Sequence, residues 1–187
     1  YDYNIVSPTY TDWIYELGGD RAQHHLGWRF FRRTEWKFPL GLLEGLTSEG
    51  AVSCMYSDSI PLFAIPCKLL SPILPESFQY VGLWELFSFC MMGGCSALLL
   101  RKFSRSPFFC AVGAIPFTVS APILQRSFNH EALSGHWLII IGFILFVTRD
   151  HKWKHKAAPV ILWTLLGITS VLVHMYFVPM IYMVMAG

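Results

Sequence analysis

Charged side chains are scarce in this sequence. Lysine, arginine, aspartate and glutamate together make up 14% of the 187 residues, whereas a soluble globular domain usually carries about 25%. Hydrophobic types reach 54%, and the net charge is only +2. We therefore expect more apolar surface than a soluble monomer can bury. Since the basic residues form no broad surface, nucleic acid is not an expected partner.

The short motifs of metal and redox sites are also missing. The chain has no HExxH or CxxC pattern, and the adjacent His24 and His25 would project about 100° apart on a helix, too far to chelate one ion readily. We expect no cofactor, and an oxygen-rich divalent cation site at Asp20 or Asp58 is the alternative. The cysteines are interpreted as small apolar residues, with a Cys54–Cys67 disulfide as the alternative.

Long apolar runs are present, and four of them are sufficient to cross a bilayer, which takes about 20 helical residues. They cover approximately residues 79–100, 107–125, 132–148 and 158–186. The last has a predicted break near Pro179. Basic residues follow the first and third runs, at Arg101–Arg105 and Arg149–Lys156, so the positive-inside rule places these links in the cytoplasm. The predicted fold is an all-α membrane protein, a multi-span helical bundle formed by residues 79–187, with residues 1–78 as a non-cytoplasmic loop region.

This loop region contains two predicted interfacial helices. Asp20–Arg33 has apolar residues four apart, as on the apolar face of an amphipathic helix at a membrane surface. They are Ala22, Leu26 and Phe30, and Trp28 and Phe31 broaden the apolar side. Gly18-Gly19 predicts a turn before this helix. Residues 59–74 are apolar but interrupted by prolines, which favours a kinked helix.

The ends of the sequence predict a fragment of a longer protein. The chain starts at Tyr1 without an apolar targeting segment and ends at Gly187 within an apolar run. Because the predicted loop region must reach the non-cytoplasmic side, we expect a signal anchor or first helix upstream.

Two acids in the loop region are candidate catalytic residues. Asp20 stands at the start of a predicted helix, close to His24 and His25, where a carboxylate could take a proton from an acceptor hydroxyl. Asp58 precedes the second predicted helix. Each could instead cap its helix, because aspartate is a favoured N-cap residue. The sequence leaves both interpretations open and cannot show whether the two acids meet.

Other ionisable residues are candidates for substrate binding. Arg126 could pair with phosphate oxygens, and His130, beside Glu131, could donate a proton. Glu85 and His174 fall in the first and fourth predicted spans, where an ionisable residue is a functional candidate. Alternatively, the Arg126 side chain only extends to the membrane surface. The alternative for His174 is a structural role in packing.

Three stretches carry a resemblance to a known group of proteins. They are GGDRAQHHLGWRFFRRTEWKFPLG, YSDSIPLFAIPCKLLSPILPESFQYVGLWELF and LQRSFNHEALSGHWLIIIGF. Together they resemble a family of uncharacterised bacterial polytopic membrane proteins. That family is similar in layout to the GT-C glycosyltransferases, which take a sugar from a polyprenyl-phosphate carrier and place it on an acceptor outside the cytoplasm.

The resemblance implies roles for the candidate residues. It makes Asp20 the acid of the first outer loop, acting as general base or acceptor anchor, with Asp58 as a second acid. It places Arg126 and His130 near the carrier's phosphate. The full set of expected substrate-binding residues is His24, His25, Glu85, Arg126, His130, Glu131 and His174. The chain departs from the GT-C pattern in lacking a clear DxD or ExD pair and a visible first span.

The expected function is therefore membrane glycosyl transfer on the non-cytoplasmic side of the bacterial inner membrane, by a multi-pass protein. Its partners would be a lipid-linked sugar donor and membrane lipid, while the acceptor stays open. One alternative is a multi-span transporter or flippase component, in which Glu85, His136 and His174 form a proton or substrate path. Another is a non-catalytic scaffold of the cell envelope.

Overall fold

The computed structural model describes residues 3–16, 20–48, 50–149 and 155–187. The predicted turn at Gly18-Gly19 and part of the basic link after residue 149 lie outside these ranges. The chain divides into two compact units, the first made of Tyr1–Leu86 and Arg126–Leu133, the second of Phe87–Gln125 and Ser134–Gly187. The first unit holds most of the candidate residues.

Helices account for most of the described structure. In chain order the elements are a 3₁₀ turn at Tyr3–Val6, α1 Asp12–Glu16, α2 Asp20–Arg33, β1 Leu42–Thr47, β2 Gly50–Ser53, α3 Pro61–Leu69, α4 Val81–Leu100, α5 Pro107–Thr118, α6 Ala121–Asn129, a 3₁₀ turn at Glu131–Ser134, α7 Trp137–Val147, α8 Ala158–Val173 and α9 Phe177–Ala186.

The predicted bundle of four membrane-spanning helices is wrong. Among the described residues, α4 alone is long and apolar enough to cross a membrane, and α5 with α6 reaches that length only if the pair, bent by 55°, counts as one span. The predicted spans 132–148 and 158–186 are replaced by shorter apolar helices. Apolar composition was therefore sufficient to predict helices, but it did not show whether each helix continues over the about 20 residues that a membrane span needs.

The break in the last predicted span occurs at His174 and not at Pro179. Helix α8 ends where His174 takes an extended conformation, and the backbone N–H of Tyr176 donates to His174 Nδ1 over 3.2 Å. Pro179 then lies in the first turn of α9, where backbone N–H groups have no acceptor within the helix, so a residue without an N–H loses no hydrogen bond there. The proline therefore fits inside the new helix.

Helix α2 has the predicted bounds, Asp20–Arg33, but only part of the predicted apolar side is buried. Leu26, which was assigned to the apolar face, is 42% exposed. The buried residues are Arg21, His24, His25, Gly27, Trp28 and Phe31. The large rings of Trp28 and Phe31 determine which side faces the protein, because they bury the most apolar area. They bring Arg21 and both histidines inside with them.

The all-α prediction also missed a β-hairpin. Strands β1 and β2 pair antiparallel, with Leu42 opposite Ser53 and Leu43 opposite Val52. The second predicted interfacial helix is shorter than residues 59–74, because α3 ends at Leu69 and turns follow it.

All five cysteines lie within the described ranges, and all are free thiols. Burial raises the pKa of Cys54 to about 11, and burial likewise raises the pKa of Cys67 to about 11. The alternative of a Cys54–Cys67 disulfide is therefore wrong, and both thiols stay protonated and poorly nucleophilic near neutral pH.

The core of the first unit is aromatic. Trp28 of α2 packs on Tyr80, with ring centroids 5.2 Å apart, and Phe63 of α3 packs on Trp84 at 5.5 Å. Trp28 Nε1 also donates to the carbonyl of Phe78 over 3.0 Å. These contacts fix α2, α3 and the first turns of α4 against one another.

Candidate functional site

The site is built around the start of α2. Asp20 is the first residue of this helix, and the next residue, Arg21, is buried. A carboxylate in the first turn interacts favourably with the helix dipole, so Asp20 has a structural role at this position. That role leaves its carboxylate half-exposed and directed toward His130, with 3.8 Å between Asp20 Oδ2 and His130 Nε2.

Arg21 and Glu131 form a buried ion pair beneath Asp20. Arg21 Nε lies 2.9 Å from Glu131 Oε1, and the side chains are 3% and 0% exposed. Burial raises the pKa of Glu131 to about 7, even though Arg21 lowers it. The position of this residue is fixed further by Trp84, whose Nε1 donates to the Glu131 carbonyl over 2.7 Å.

His130 lies between the two predicted catalytic acids. Its Nε2 is 3.8 Å from Asp20 Oδ2 and 3.9 Å from Asp58 Oδ2. The ring of His24 lies beside it, with the centroids 5.6 Å apart. Residues from three distant parts of the chain therefore meet, which answers the question that the sequence left open about Asp20 and Asp58.

Asp58 reaches this position through an unusual stretch of backbone. Asp58 has a φ of 49° and Ile60 a φ of 47°, in a region that costs a β-branched residue energy. The N-cap position of α3 belongs to Ile60, and no side chain caps the helix there. Asp58 therefore does not occupy the N-cap position that the capping interpretation gave it.

Close packing holds the Asp58 segment against α2. Ser59 Oγ donates to the carbonyl of His24 over 3.0 Å, and the Ser57 and Ser59 hydroxyls are 2.8 Å apart. A Cβ on Gly27 would lie 2.1 Å from Ser57 Oγ and 2.3 Å from Ser59 Oγ. Only glycine therefore allows the segment to approach α2 so closely.

His25 faces a different environment from its neighbour His24. Its Nδ1 lies 2.7 Å from the Tyr15 hydroxyl, and it lines a cavity of about 310 Å³ together with Tyr15 and Arg29. Burial, reinforced by the Arg29 charge, lowers the pKa of His25 to about 4. The ring is therefore neutral near pH 7 and can serve in this cavity as a hydrogen-bonding group.

The remaining candidates are placed more loosely. Arg126 is exposed in the last turn of α6, and its carbonyl accepts the backbone N–H of His130 over 2.7 Å. Glu85 is buried near the start of α4. His174 belongs to the second unit, where its Nδ1 accepts the backbone N–H of Tyr176.

Sequence reasoning missed Arg21 and Lys68. Arg21 comes four residues before His25 and seven before Trp28, so it shares their helical face. Choosing that face by its aromatic residues would have found it. The Lys68 ammonium lies 4.1 Å from the Phe31 ring centroid and 4.5 Å from that of Trp36. No spacing in the sequence indicates this contact.

Comparison with known proteins identifies a family. The whole chain, residues 1–187, matches the family described as Domain of unknown function (DUF6311), and it belongs to that family. Neither the curated proteins nor the solved structures gave a match to the chain.

Proposed function

We propose that this member of DUF6311 is a glycosyltransferase that moves a sugar from a polyprenyl-phosphate donor to a hydroxyl of an acceptor. The observation that carries the proposal is the meeting of Asp20 and Asp58 at His130 Nε2, at 3.8 and 3.9 Å. Glycosyl transfer by direct displacement needs a carboxylate near the acceptor hydroxyl and a donor group near the leaving phosphate. This cluster supplies both kinds of group within hydrogen-bonding reach of a small substrate.

In the proposed reaction, Asp20 is the general base. As the acceptor oxygen bonds to the anomeric carbon of the sugar, its proton passes to the Asp20 carboxylate. The bond between the anomeric carbon and the phosphate oxygen breaks, and polyprenyl phosphate leaves with the electron pair. A single displacement of this kind inverts the anomeric configuration. Asp58 supports the acceptor, while His130 and Arg126 stabilise the negative charge of the leaving phosphate.

The buried pair below the cluster supports this assignment. Arg21 and Glu131 are shielded from water, so they hold the start of α2 and the residue after His130 in fixed positions. Catalysis of this kind depends on orienting groups within a fraction of an ångström. Arg21 and Glu131 are therefore positioning residues, and Asp20 is the group that touches the substrate.

A lipid-linked donor requires access to a bilayer. The Trp84–Glu131 hydrogen bond ties the site to the first turn of α4, the helix of Val81–Leu100 that is long and apolar enough to cross a membrane. We propose that this helix anchors the protein in the bacterial inner membrane, with the cluster at its non-cytoplasmic end. The isoprenoid tail then stays in lipid while the phosphate reaches the cluster.

The test is transfer of a labelled sugar from a synthetic polyprenyl-phosphate donor by the full-length protein in liposomes. Asp20→Asn keeps the shape of the side chain but removes the base, so we expect transfer to fall by about 10²- to 10⁴-fold. Asp12→Asn is the matched control, because Asp12 is also an exposed acid at the start of a helix. Undiminished transfer by Asp20→Asn would exclude Asp20 as the base. Failure of the unaltered protein with every donor tested would overturn the proposed function.

A further inference from the structure

Three side chains of the cluster have the chemistry and the spacing of metal ligands. They are His24 on α2, Asp58 before α3 and His130 after α6. One ligand atom from each lies within 4.8 Å of the corresponding atoms of the other two. The arrangement brings two imidazoles and one carboxylate to a common point from segments far apart in the chain.

We propose that His24, Asp58 and His130 bind one divalent metal ion of the zinc class. In a tetrahedral zinc site with bonds of 2.0 to 2.1 Å, neighbouring ligand atoms are about 3.4 Å apart. His130 Nε2 and Asp58 Oδ2 are 3.9 Å apart, so a closing movement of about 0.5 Å, within side-chain freedom, forms that edge of the site. Asp20 Oδ2, at 3.8 Å from the same nitrogen, lies where a fourth ligand could enter.

The ligand types select the ion. Imidazole nitrogens favour zinc and the other late first-row metals, whereas magnesium and calcium prefer sites made wholly of oxygen. Two histidines among three ligands therefore indicate zinc. The sequence left open an oxygen-rich site at Asp20 or Asp58, and such a site would instead select magnesium or calcium.

The surroundings hold the ligands as metal sites require. Glu131 Oε2 lies 3.7 Å from His24 Nδ1, so a small shift would allow this nitrogen to donate a hydrogen bond to the carboxylate. A histidine held in that way is oriented to bind metal through its other nitrogen. Arg21 fixes Glu131 in turn. The packing of Ser59 on the His24 carbonyl holds the Asp58 segment close to the same helix.

The site is open on one side. His24 is buried, whereas His130 and Asp58 are each about one-fifth exposed. Three protein ligands leave one position of a tetrahedral ion for water or a substrate oxygen. A bound ion would therefore face the space in which the proposed reaction occurs. It would take over the contact of His130 with a phosphate oxygen and the contact of Asp58 with the acceptor.

This inference does not depend on the proposed function, because metal binding is measured without turnover. The experiment titrates the full-length protein, freed of any affinity tag and stripped with a chelator, with Zn²⁺ in competition with a chromophoric chelator. Visible absorption after addition of Co²⁺ reports the geometry of the site. We expect one tightly bound Zn²⁺ per chain and no displacement by excess Mg²⁺.

Two variants and one control locate the site. Asp58→Asn retains side-chain size, and His130→Ala removes one imidazole; each should weaken Zn²⁺ binding at least about tenfold and abolish the tetrahedral Co²⁺ spectrum. His155→Ala is the control, since His155 is exposed in the second unit, and it should bind as the unaltered protein does. Thermal unfolding verifies that each variant is folded. Zinc binding that is absent, or unchanged in Asp58→Asn, would overturn the proposal, whereas a failed sugar-transfer assay would not affect it.

Discussion

At the scale of single residues, the pairing of Arg21 with Glu131 stabilises the first unit because both side chains are buried. Removing one partner of a buried ion pair leaves the other charge without compensation, which costs about 3 to 5 kcal/mol. We predict this loss for Arg21→Met, measured by denaturant unfolding at a pH above 7. There Glu131 is mostly ionised, because its pKa is about 7, and its buried carboxylate would lose the cation that lowers this pKa. A chelator in the buffer keeps metal binding out of the comparison.

Arg33→Met is the matched control for that prediction. Glu76 also pairs with an arginine, Arg33, at 3.0 Å, but the two side chains are 86% and 65% exposed. Water and salt screen such a pair, so its removal should cost about 0 to 1 kcal/mol. Equal losses in the two variants would show that the Arg21–Glu131 pair is not shielded from water in solution.

Lys68 gives a prediction about pH. Burial lowers its pKa from the usual 10.5, while the rings of Phe31 and Trp36 lie against its ammonium group. Below 10.5 the unfolded chain therefore binds more protons at this residue than the folded chain, so its contribution to the free energy of unfolding rises with pH. Between about pH 8 and about pH 10, the unaltered protein should gain stability relative to Lys68→Met.

The control for Lys68 is Lys37→Met. Lys37 is exposed and bonded to Glu44, which raises its pKa. It is therefore protonated in both folded and unfolded chains over most of the same range, and the small slope that it adds near pH 10 has the opposite sign. If the free energy of unfolding depends on pH in the same way for the Lys68→Met and unaltered proteins across that range, the burial of a charged ammonium group is contradicted.

At the scale of elements, the contact between α2 and the Asp58 segment depends on Gly27. A methyl group at this position would overlap Ser57 Oγ and Ser59 Oγ, so Gly27→Ala should push the segment away from the helix. We expect a loss of about 1 to 3 kcal/mol in unfolding free energy from overpacking, together with weaker Zn²⁺ binding, because Asp58 moves with the segment.

Gly94→Ala tests whether that effect is local. Gly94 lies within α4, and a Cβ there meets nothing within 4 Å. Alanine also favours helix over glycine by about 1 kcal/mol, so this variant should be as stable as the unaltered protein or more so. Zinc affinity that is the same in the two glycine variants would disprove the role of the close approach.

Local patterns in the sequence predicted local structure. The bounds of α2 followed from Asp20 at its start and from periodic apolar residues, since capping and periodicity act over one or two turns. The hairpin of β1 and β2 was missed, because its strands are short and contain glycine. Which face of α2 would be buried could not be read from Ala22 and Leu26, because partners distant in sequence, such as Phe78 and Tyr80, decide it.

The same distinction holds for the site. Asp20, Asp58 and His130 could each be named from the sequence as ionisable residues beside apolar segments. The sequence could not predict that they meet, because Asp20 and His130 are 110 residues apart in the chain. The contact also depends on strained backbone at Asp58 and Ile60. Arg21 escaped notice because an arginine in a helix is usually solvated, whereas here its ion pair with Glu131 makes its burial tolerable.

At the scale of the whole molecule, apolar surface is concentrated in a few helices rather than in four complete spans. Only α4 among the described elements has sufficient length and apolar character by itself. If α4 anchors the protein, a charge at its centre should weaken membrane attachment. Cys90 is exposed and lies midway between Val81 and Leu100. An arginine at the centre of a spanning helix costs about 2.5 to 3.5 kcal/mol.

We therefore predict that Cys90→Arg moves the full-length protein from the membrane pellet toward the supernatant in an alkaline wash. Ile73→Arg introduces the same charge at an exposed apolar residue before α4 and should leave the protein in the pellet. Release of both variants would mean that apolar surface outside α4 contributes to attachment. Retention of both would mean that α4 is not the anchor, and the lipid-linked donor would then have to reach the cluster of Asp20, Asp58 and His130 by another route.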